Sequence, residues 1–200
     1  MGCDRRPAMA ATSATYALPN LLTFARIAAV PIVVACLIVA SMPLRAVALA
    51  IFIGAAATDW LDGYLARRMD AVSTLGRMLD PIADKLIVAA VLMMLVADAT
   101  VAGVHVIAAV SILIREIFIS GMREFFGGRG IVVPVTPFAK WKTTAQLVAI
   151  AVLIAWPIAG AGTYIVWTAG IALLWVAAAM TVWTGVQYAG VMLSELGEEP

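Results

Sequence analysis

Residues 59–84 read DWLDGYLARRMDAVSTLGRMLDPIAD and place two pairs of aspartates between segments apolar enough to cross a bilayer. Asp59 and Asp62 have i, i+3 spacing and Asp80 and Asp84 have i, i+4 spacing, so each pair shares one face of a helix. Carboxylates at membrane depth usually face a polar cavity and mark a functional site. Because four like charges repel one another, their clustering favours neutralisation by bound cations.

The composition of the whole chain is typical of an integral membrane protein. Of the 200 residues, 64% are hydrophobic and 12% are charged, and the mean hydropathy is +1.04. The two cysteines, Cys3 and Cys36, form no CxxC motif, which argues against a thiolate zinc site, a disulfide framework and redox chemistry. The net charge of +1 gives no support for nucleic-acid binding.

Six apolar stretches predict an all-α integral membrane bundle of six transmembrane helices. They cover residues 18–40, 44–57, 79–96, 101–114, 146–158 and 164–193. A span needs about 20 residues, so the fourth and fifth qualify only if their helices continue through the charged flanks around Arg115 and Lys142. We predict an N-terminal cytoplasmic or interfacial segment over residues 1–17, a membrane domain over residues 18–194 and an acidic tail over residues 195–200.

The basic residues predict the orientation of the bundle. Among the basic residues, only Arg45 falls in the connections between spans 1 and 2, 3 and 4, and 5 and 6. The positive-inside rule therefore places both termini and the acidic hairpin in the cytoplasm. The remaining basic residues of the N-terminus and of connections 2/3 and 4/5 are Arg5, Arg6, Arg67, Arg68, Arg77, Arg115, Arg123, Arg129, Lys140 and Lys142. A cleaved signal peptide is the alternative for the first stretch, but that run is too long and contains Arg26.

Oxygen ligands without histidine or cysteine nearby suit Mg²⁺ or Mn²⁺. The second stretch begins near Leu44, which puts Asp59 about 22 Å along its helix, near the inner edge of a core about 30 Å thick. A lipid diphosphate sits at that depth.

A short connection from Arg67 to about Leu75 would make the two acidic helices antiparallel neighbours. Pro81 either opens the third helix, with Asp80 as its N-cap, or lies within a kinked helix that begins near Gly76.

The acidic hairpin resembles the CDP-alcohol phosphotransferase family. It reproduces the pattern D-x2-D-G-x2-A-R-x8-G-x3-D-x3-D at Asp59, Asp62, Gly63, Ala66, Arg67, Gly76, Asp80 and Asp84. Other segments resemble the branch of the family that uses glycerol 3-phosphate as acceptor: residues 19–23 with Arg26, residues 114–116, residues 120–123 and residues 140–143. One departure is Ala139, where the family often has glycine.

The resemblance implies an enzyme that transfers a phosphatidyl group from CDP-diacylglycerol to sn-glycerol 3-phosphate and releases CMP. It implies two divalent ions, Mg²⁺ or Mn²⁺, held by Asp59, Asp62, Asp80 and Asp84, with Asp84 also acting as the catalytic general base. It further implies a homodimer in the bacterial inner membrane, with membrane lipid around it and the active site facing the cytoplasm.

The resemblance also assigns substrate contacts. CDP-diacylglycerol would contact Asn20, Thr23, Asp62, Gly63, Ala66, Arg67, Gly76 and Asp80. The acceptor phosphate would contact Arg115, Arg123, Lys140, Lys142 and Thr143, with Glu116 orienting Arg115.

Several alternatives stay open at this point. The acceptor could instead be inositol phosphate, serine or phosphatidylglycerol, and an ion-coupled membrane carrier is a hypothesis from another class. The basic residues around Arg115 could simply anchor the inner face. Arg26 could snorkel to the interface or take part in the cleft. Trp167, Trp175 and Trp183 suggest a stripe on the last helix, to which no function is assigned.

Overall fold

A computed structural model describes the backbone of residues 12–69, 74–128 and 137–197, and the side chains of residues 21–58, 79, 81–128, 141–160 and 162–190. These parts of the chain contain helices and no strand. The six α-helices are α1 (Thr12–Ile38), α2 (Met42–Met69), α3 (Thr74–Ala97), α4 (Val106–Gly128), α5 (Pro137–Ala155) and α6 (Thr163–Gly197). Short 3₁₀ turns at Gly103–His105, Trp156–Ile158 and Gly160–Gly162 lie in the connections before α4 and α6.

The helices continue through the charged flanks, as the fourth and fifth spans require. α4 runs past Arg115 to Gly128, and α5 begins before Lys142. Within the described residues, four helical segments are long and apolar enough to cross a membrane: Leu21–Ile38, Gly103–Gly128, Trp141–Ile158 and Thr163–Gly190. A shorter apolar helix covers Met42–Thr58. The chain is therefore an all-helical membrane protein, and the count of six spans stays a prediction.

The acidic hairpin differs from the prediction in two details. α2 continues to Met69 and α3 begins at Thr74, so the connection is shorter than the predicted one from Arg67 to Leu75. Pro81 lies inside α3, so the interpretation of Asp80 as an N-cap is wrong. The proline is tolerated because groups in a membrane bundle can compensate the lost backbone hydrogen bond. The helical spacing of both aspartate pairs is confirmed by the backbone.

Packing around α1, α5 and α6 builds the core. In the described part of the chain, α1 packs against both α2 and α3 and so joins the two acidic helices. These two helices have little direct packing with each other there, so the prediction that they are neighbours is not supported by the described residues. α6 packs against α5 and α4. Gly170 permits the close approach of α6 to α5, because a Cβ there would lie 2.8 Å from Leu153 Cδ2. The largest fully buried side chains are Phe52, Phe126, Leu37, Leu92, Leu95, Ile112, Ile150, Leu153, Ile154, Leu174 and Val33.

Contacts between helices define two ends of the bundle. The site end joins the middle of α1 and of α4 to the N-terminal halves of α3 and α5 and to Thr184 and Tyr188 of α6. The far end joins the start of α2 to the ends of α3 and α5 and the start of α6. The predicted substrate-binding residues with described side chains lie at the site end.

Candidate active site

An ion pair between α1 and α3 holds the predicted general base. Arg26 donates from Nη1 to Asp84 Oδ1 at 2.6 Å. The Arg26 side chain is only 1% exposed, whereas that of Asp84 is 41% exposed. A buried guanidinium needs a counter-charge, and the charge-assisted hydrogen bond to Asp84 supplies one. Of the two interpretations of Arg26, snorkelling to the interface is therefore wrong, and participation in the cleft stays a prediction that the pairing with Asp84 supports.

Thr23 lies one helical turn before Arg26 on α1 and is buried. The i, i+3 spacing places both residues on the face of α1 that is turned toward α3. A predicted contact of the donor substrate thus lies beside the ion pair of the predicted base.

The described side chains contain only one of the four predicted metal ligands. Asp84 is half-buried on α3, while the side chains of Asp59, Asp62 and Asp80 lie outside the described residues. The surroundings of the following predicted substrate contacts also lie outside them: Asn20, Gly63, Ala66, Arg67, Gly76 and Lys140. Among the side chains that are described, no group of three or more metal-ligating residues occurs. The donor set itself fits Mg²⁺ or Mn²⁺, because all four residues are carboxylates and the backbone puts each pair on one helix face.

A second cluster of charges joins α4, α5 and α6. Glu116 on α4 accepts hydrogen bonds at the same carboxylate oxygen from Arg115 Nη1, at 3.2 Å, and from Lys142 Nζ on α5. Arg115 also donates from Nη2 to Thr184 Oγ1 on α6, at 3.0 Å. All three charged side chains are largely shielded from solvent. Glu116 therefore orients Lys142 as well as Arg115, which is more than the sequence predicted for it.

Tyr188 on α6 brings the second predicted arginine to the same place. Its ring centroid lies 5.8 Å from Arg115 Cζ and 5.7 Å from Arg123 Cζ. These distances are in the range of cation–π attraction. The ring is buried and packs with Ile119 and Phe126. Two arginines that are separated by about two turns of α4 thus share one aromatic ring.

The two clusters are neighbours and the second carries excess positive charge. Lys85 on α3 follows Asp84 directly and is attracted electrostatically by both Asp84 and Glu116. Arg115 and Lys142 thus share the carboxylate of Glu116, and Lys85 and Arg123 add positive charge beside them. Such an arrangement can bind an anion, and guanidinium groups bind two phosphate oxygens at once. Thr143, the remaining predicted contact with a described side chain, is exposed next to Lys142.

Four residues of this site were not predicted from the sequence. They are Lys85, Thr184, Gly185 and Tyr188. The available signal was the polarity of Thr184 and Tyr188, since polar side chains inside an apolar helix usually face a bundle interior. Their i, i+4 spacing places both on one face of α6.

Comparison with known proteins agrees with the chemistry of this site. A CDP-diacylglycerol--glycerol-3-phosphate 3-phosphatidyltransferase of Rickettsia bellii is 40% identical, over 86% of this chain and 92% of its own length. The protein of that name from Cereibacter sphaeroides is 37% identical, over 92% of this chain and 99% of its own length. A cardiolipin synthase (CMP-forming) of Oryza sativa is 36% identical, over 86% of this chain and 56% of its own length. Since residues 16–183 match the family described as CDP-alcohol phosphatidyltransferase, this chain belongs to that family.

Proposed function

We propose that this chain transfers the phosphatidyl group of CDP-diacylglycerol to sn-glycerol 3-phosphate, forming phosphatidylglycerophosphate and releasing CMP. Family membership and the names of the bacterial relatives support this activity. The observation that carries the choice of a phosphate-bearing acceptor is the network of Arg115, Glu116 and Lys142 close to Asp84. The double negative charge of a phosphate monoester matches several cations, whereas serine, which has no phosphate, would leave part of the positive charge of this cluster without a counter-charge.

The proposed mechanism is an in-line displacement at the phosphorus that carries the lipid. Asp84 takes the proton from the C1 hydroxyl of glycerol 3-phosphate, the oxygen bonds to phosphorus, and the bond from phosphorus to CMP breaks. Arg26 holds the Asp84 carboxylate in place from the buried side. Arg115, Arg123, Lys142, Lys140 and Thr143 bind the acceptor phosphate and fix its hydroxyl near the reacting phosphorus.

The donor side of the site follows the family pattern. Asp59, Asp62, Asp80 and Asp84 would hold two divalent ions, Mg²⁺ or Mn²⁺, which when bound neutralise the diphosphate and stabilise the leaving CMP. Asp62 and Asp80 would also contact the donor. The other proposed donor contacts are Asn20, Thr23, Gly63, Ala66, Arg67 and Gly76.

The proposed setting is the bacterial inner membrane. The chain would cross it six times as a homodimer, with residues 1–17 and 195–200 and the site end of the bundle in the cytoplasm. Access from the cytoplasm suits this chemistry, because glycerol 3-phosphate and CMP are water-soluble.

Phosphatidylglycerol is the second candidate acceptor, because the relative from Oryza sativa is named a cardiolipin synthase. Its phosphodiester carries a single charge, which the cluster of cations matches less well than the double charge of a phosphate monoester.

The deciding experiment uses purified protein with CDP-diacylglycerol, Mg²⁺ or Mn²⁺, and a panel of acceptors. CMP release is measured with glycerol 3-phosphate, inositol phosphate, serine and phosphatidylglycerol. We expect glycerol 3-phosphate to give the highest kcat/KM, EDTA to abolish the reaction and added Mn²⁺ to restore it. Preferential use of any other acceptor would make the proposal wrong.

A further inference from the structure

Three residues on one face of α6 surround the Arg115 side chain. Thr184 Oγ1 accepts from Arg115 Nη2 at 3.0 Å, and the Tyr188 ring lies 5.8 Å from Arg115 Cζ. Between them Gly185 leaves room for the aliphatic part of the side chain. A Cβ at Gly185 would lie 2.9 Å from Arg115 Cγ, 3.5 Å from Nε and 3.8 Å from Cδ. We call Thr184, Gly185 and Tyr188 the α6 seat.

Thr184 is fixed as an acceptor by its own helix. Its hydroxyl lies 2.9 Å from the Met180 carbonyl oxygen and 3.0 Å from that of Thr181, and it donates its one hydrogen there. A lone pair of Oγ1 therefore faces Arg115. Because Thr184 is fully buried, water does not compete for this hydrogen bond.

Tyr188 lowers the cost of holding two cations close together. Arg115, which is largely shielded from solvent, and Arg123, which is exposed, carry like charges that repel each other. The negative face of the buried Tyr188 ring attracts both guanidinium groups. Packing with Ile119 and Phe126 keeps the ring itself in place. The directions of both arginines are thus tied to α6.

We propose that the α6 seat positions Arg115 and Arg123 for the phosphate of the acceptor, so that α6 sets the affinity for that substrate. The inference rests on the proposed role of Arg115 and Arg123 in acceptor binding. The seat acts through the arginines, and so its loss changes acceptor binding while donor binding stays the same.

Gly185→Ala tests the seat, and Gly190→Ala is the matched control. Both glycines lie on α6, and alanine raises the helix propensity equally at each. A Cβ at Gly190 meets nothing within 4 Å, whereas one at Gly185 displaces the Arg115 stem. We expect Gly185→Ala to raise the KM for glycerol 3-phosphate about tenfold, with the KM for CDP-diacylglycerol within about twofold of the parent. We expect Gly190→Ala to leave both constants unchanged.

Tyr188→Phe and Tyr188→Leu separate the ring from bulk packing. Phenylalanine retains the π face, so its acceptor KM should stay within about twofold of the parent value. Leucine removes that face and should raise the acceptor KM about tenfold. Equal constants for the two variants would make the role of the ring wrong.

Arg115→Met separates this inference from the proposed acceptor site. An unchanged acceptor KM in Arg115→Met would overturn the acceptor site itself. If Arg115→Met raises that KM but Gly185→Ala behaves like Gly190→Ala, only the α6 seat is wrong. A Gly185→Ala protein that is thermally less stable but has the parent's acceptor KM would likewise reduce the seat to a structural role and overturn the inference.

Discussion

Arg26 on α1 and Asp84 on α3 form an ion pair in which the cation is buried and the carboxylate is half exposed. The guanidinium therefore lies on the buried side of the pair, and part of the Asp84 carboxylate stays accessible. A carboxylate held in this way has a fixed direction, which a general base requires. The pair also joins α1 to the acidic helix α3.

Asp84→Asn should abolish turnover, because an amide cannot accept the proton of the acceptor hydroxyl. General bases contribute about 10²–10⁴-fold to the rate. Measurement of CMP release gives kcat, and metal-dependent binding of CDP-diacylglycerol to the same variant shows whether the donor site survives. We expect weakened but detectable donor binding. Turnover near the parent rate would exclude Asp84 as the base.

Arg26→Gln should lower kcat about tenfold or more, since the Asp84 carboxylate loses the partner that fixes its direction. Arg26→Lys is the matched variant, because an ammonium group keeps the positive charge but has a different shape. We expect kcat of Arg26→Lys to lie between those of the parent and Arg26→Gln. If the two variants have the same kcat in thermally stable protein, charge pairing is not what Arg26 contributes.

Glu116→Gln should destabilise the protein and weaken acceptor binding together. The glutamate carboxylate is shared by Arg115 and Lys142, both largely buried, and its loss leaves two cations facing each other. Removal of one partner of a buried ion pair costs about 3–5 kcal/mol. The matched control is Glu124→Gln, which removes the same charge from an exposed position on α4.

Thermal unfolding in detergent and the KM for glycerol 3-phosphate measure both effects of Glu116→Gln. We expect the control Glu124→Gln to unfold at the parent's temperature. Equal unfolding temperatures for Glu116→Gln and Glu124→Gln would contradict a structural role for the shared carboxylate.

The sequence predicted those parts of the site that depend on local spacing. The lengths of the apolar stretches predicted the helices. Helical periodicity predicted that each pair of aspartates shares one helix face, with i, i+3 spacing for Asp59 and Asp62 and i, i+4 spacing for Asp80 and Asp84. The predicted link between Glu116 and Arg115 is confirmed, because adjacent residues reveal it. Local sequence left two positions open for Pro81, because proline prefers the first helical turn but is also tolerated inside a membrane helix, and α3 has it inside.

The contacts of α6 could not be predicted, because they depend on which helix packs against α4. Arg115 and Thr184 are far apart in the sequence, and no local pattern relates them. The tryptophan pattern on α6 shows the same limit. Eight residues turn a helix about 80° past two full turns, so each successive tryptophan points about 80° further around α6 and the three do not form one stripe. Trp167 and Trp175 both contact His105, whereas Trp183 is 63% exposed.

Arg45 occupies the centre of a hydrogen-bonded cluster at the far end. It donates to Asp98 Oδ2 at 2.7 Å, to Thr100 Oγ1 at 3.0 Å and to the Ile154 carbonyl oxygen at 3.0 Å. Trp156 Nε1 donates to Thr100 Oγ1, and Trp167 Nε1 donates to the Thr100 carbonyl oxygen. The buried guanidinium thus connects α2 with the ends of α3 and α5, and Thr100 extends the connection to α6.

Arg45→Met should lower the stability of the bundle without changing either KM. Methionine keeps much of the apolar volume but leaves Asp98 without its cation and the Ile154 carbonyl without this donor, a loss of about 3–5 kcal/mol. Because the far end is separated from the site end by the apolar core, the folded fraction should bind both substrates normally. The measurements are thermal unfolding in detergent and steady-state kinetics.

The double variant Asp98→Leu with Arg45→Met should lose less stability than the sum of the two single variants, since each change removes the same interaction. Additive losses would show that the two side chains stabilise the far end independently.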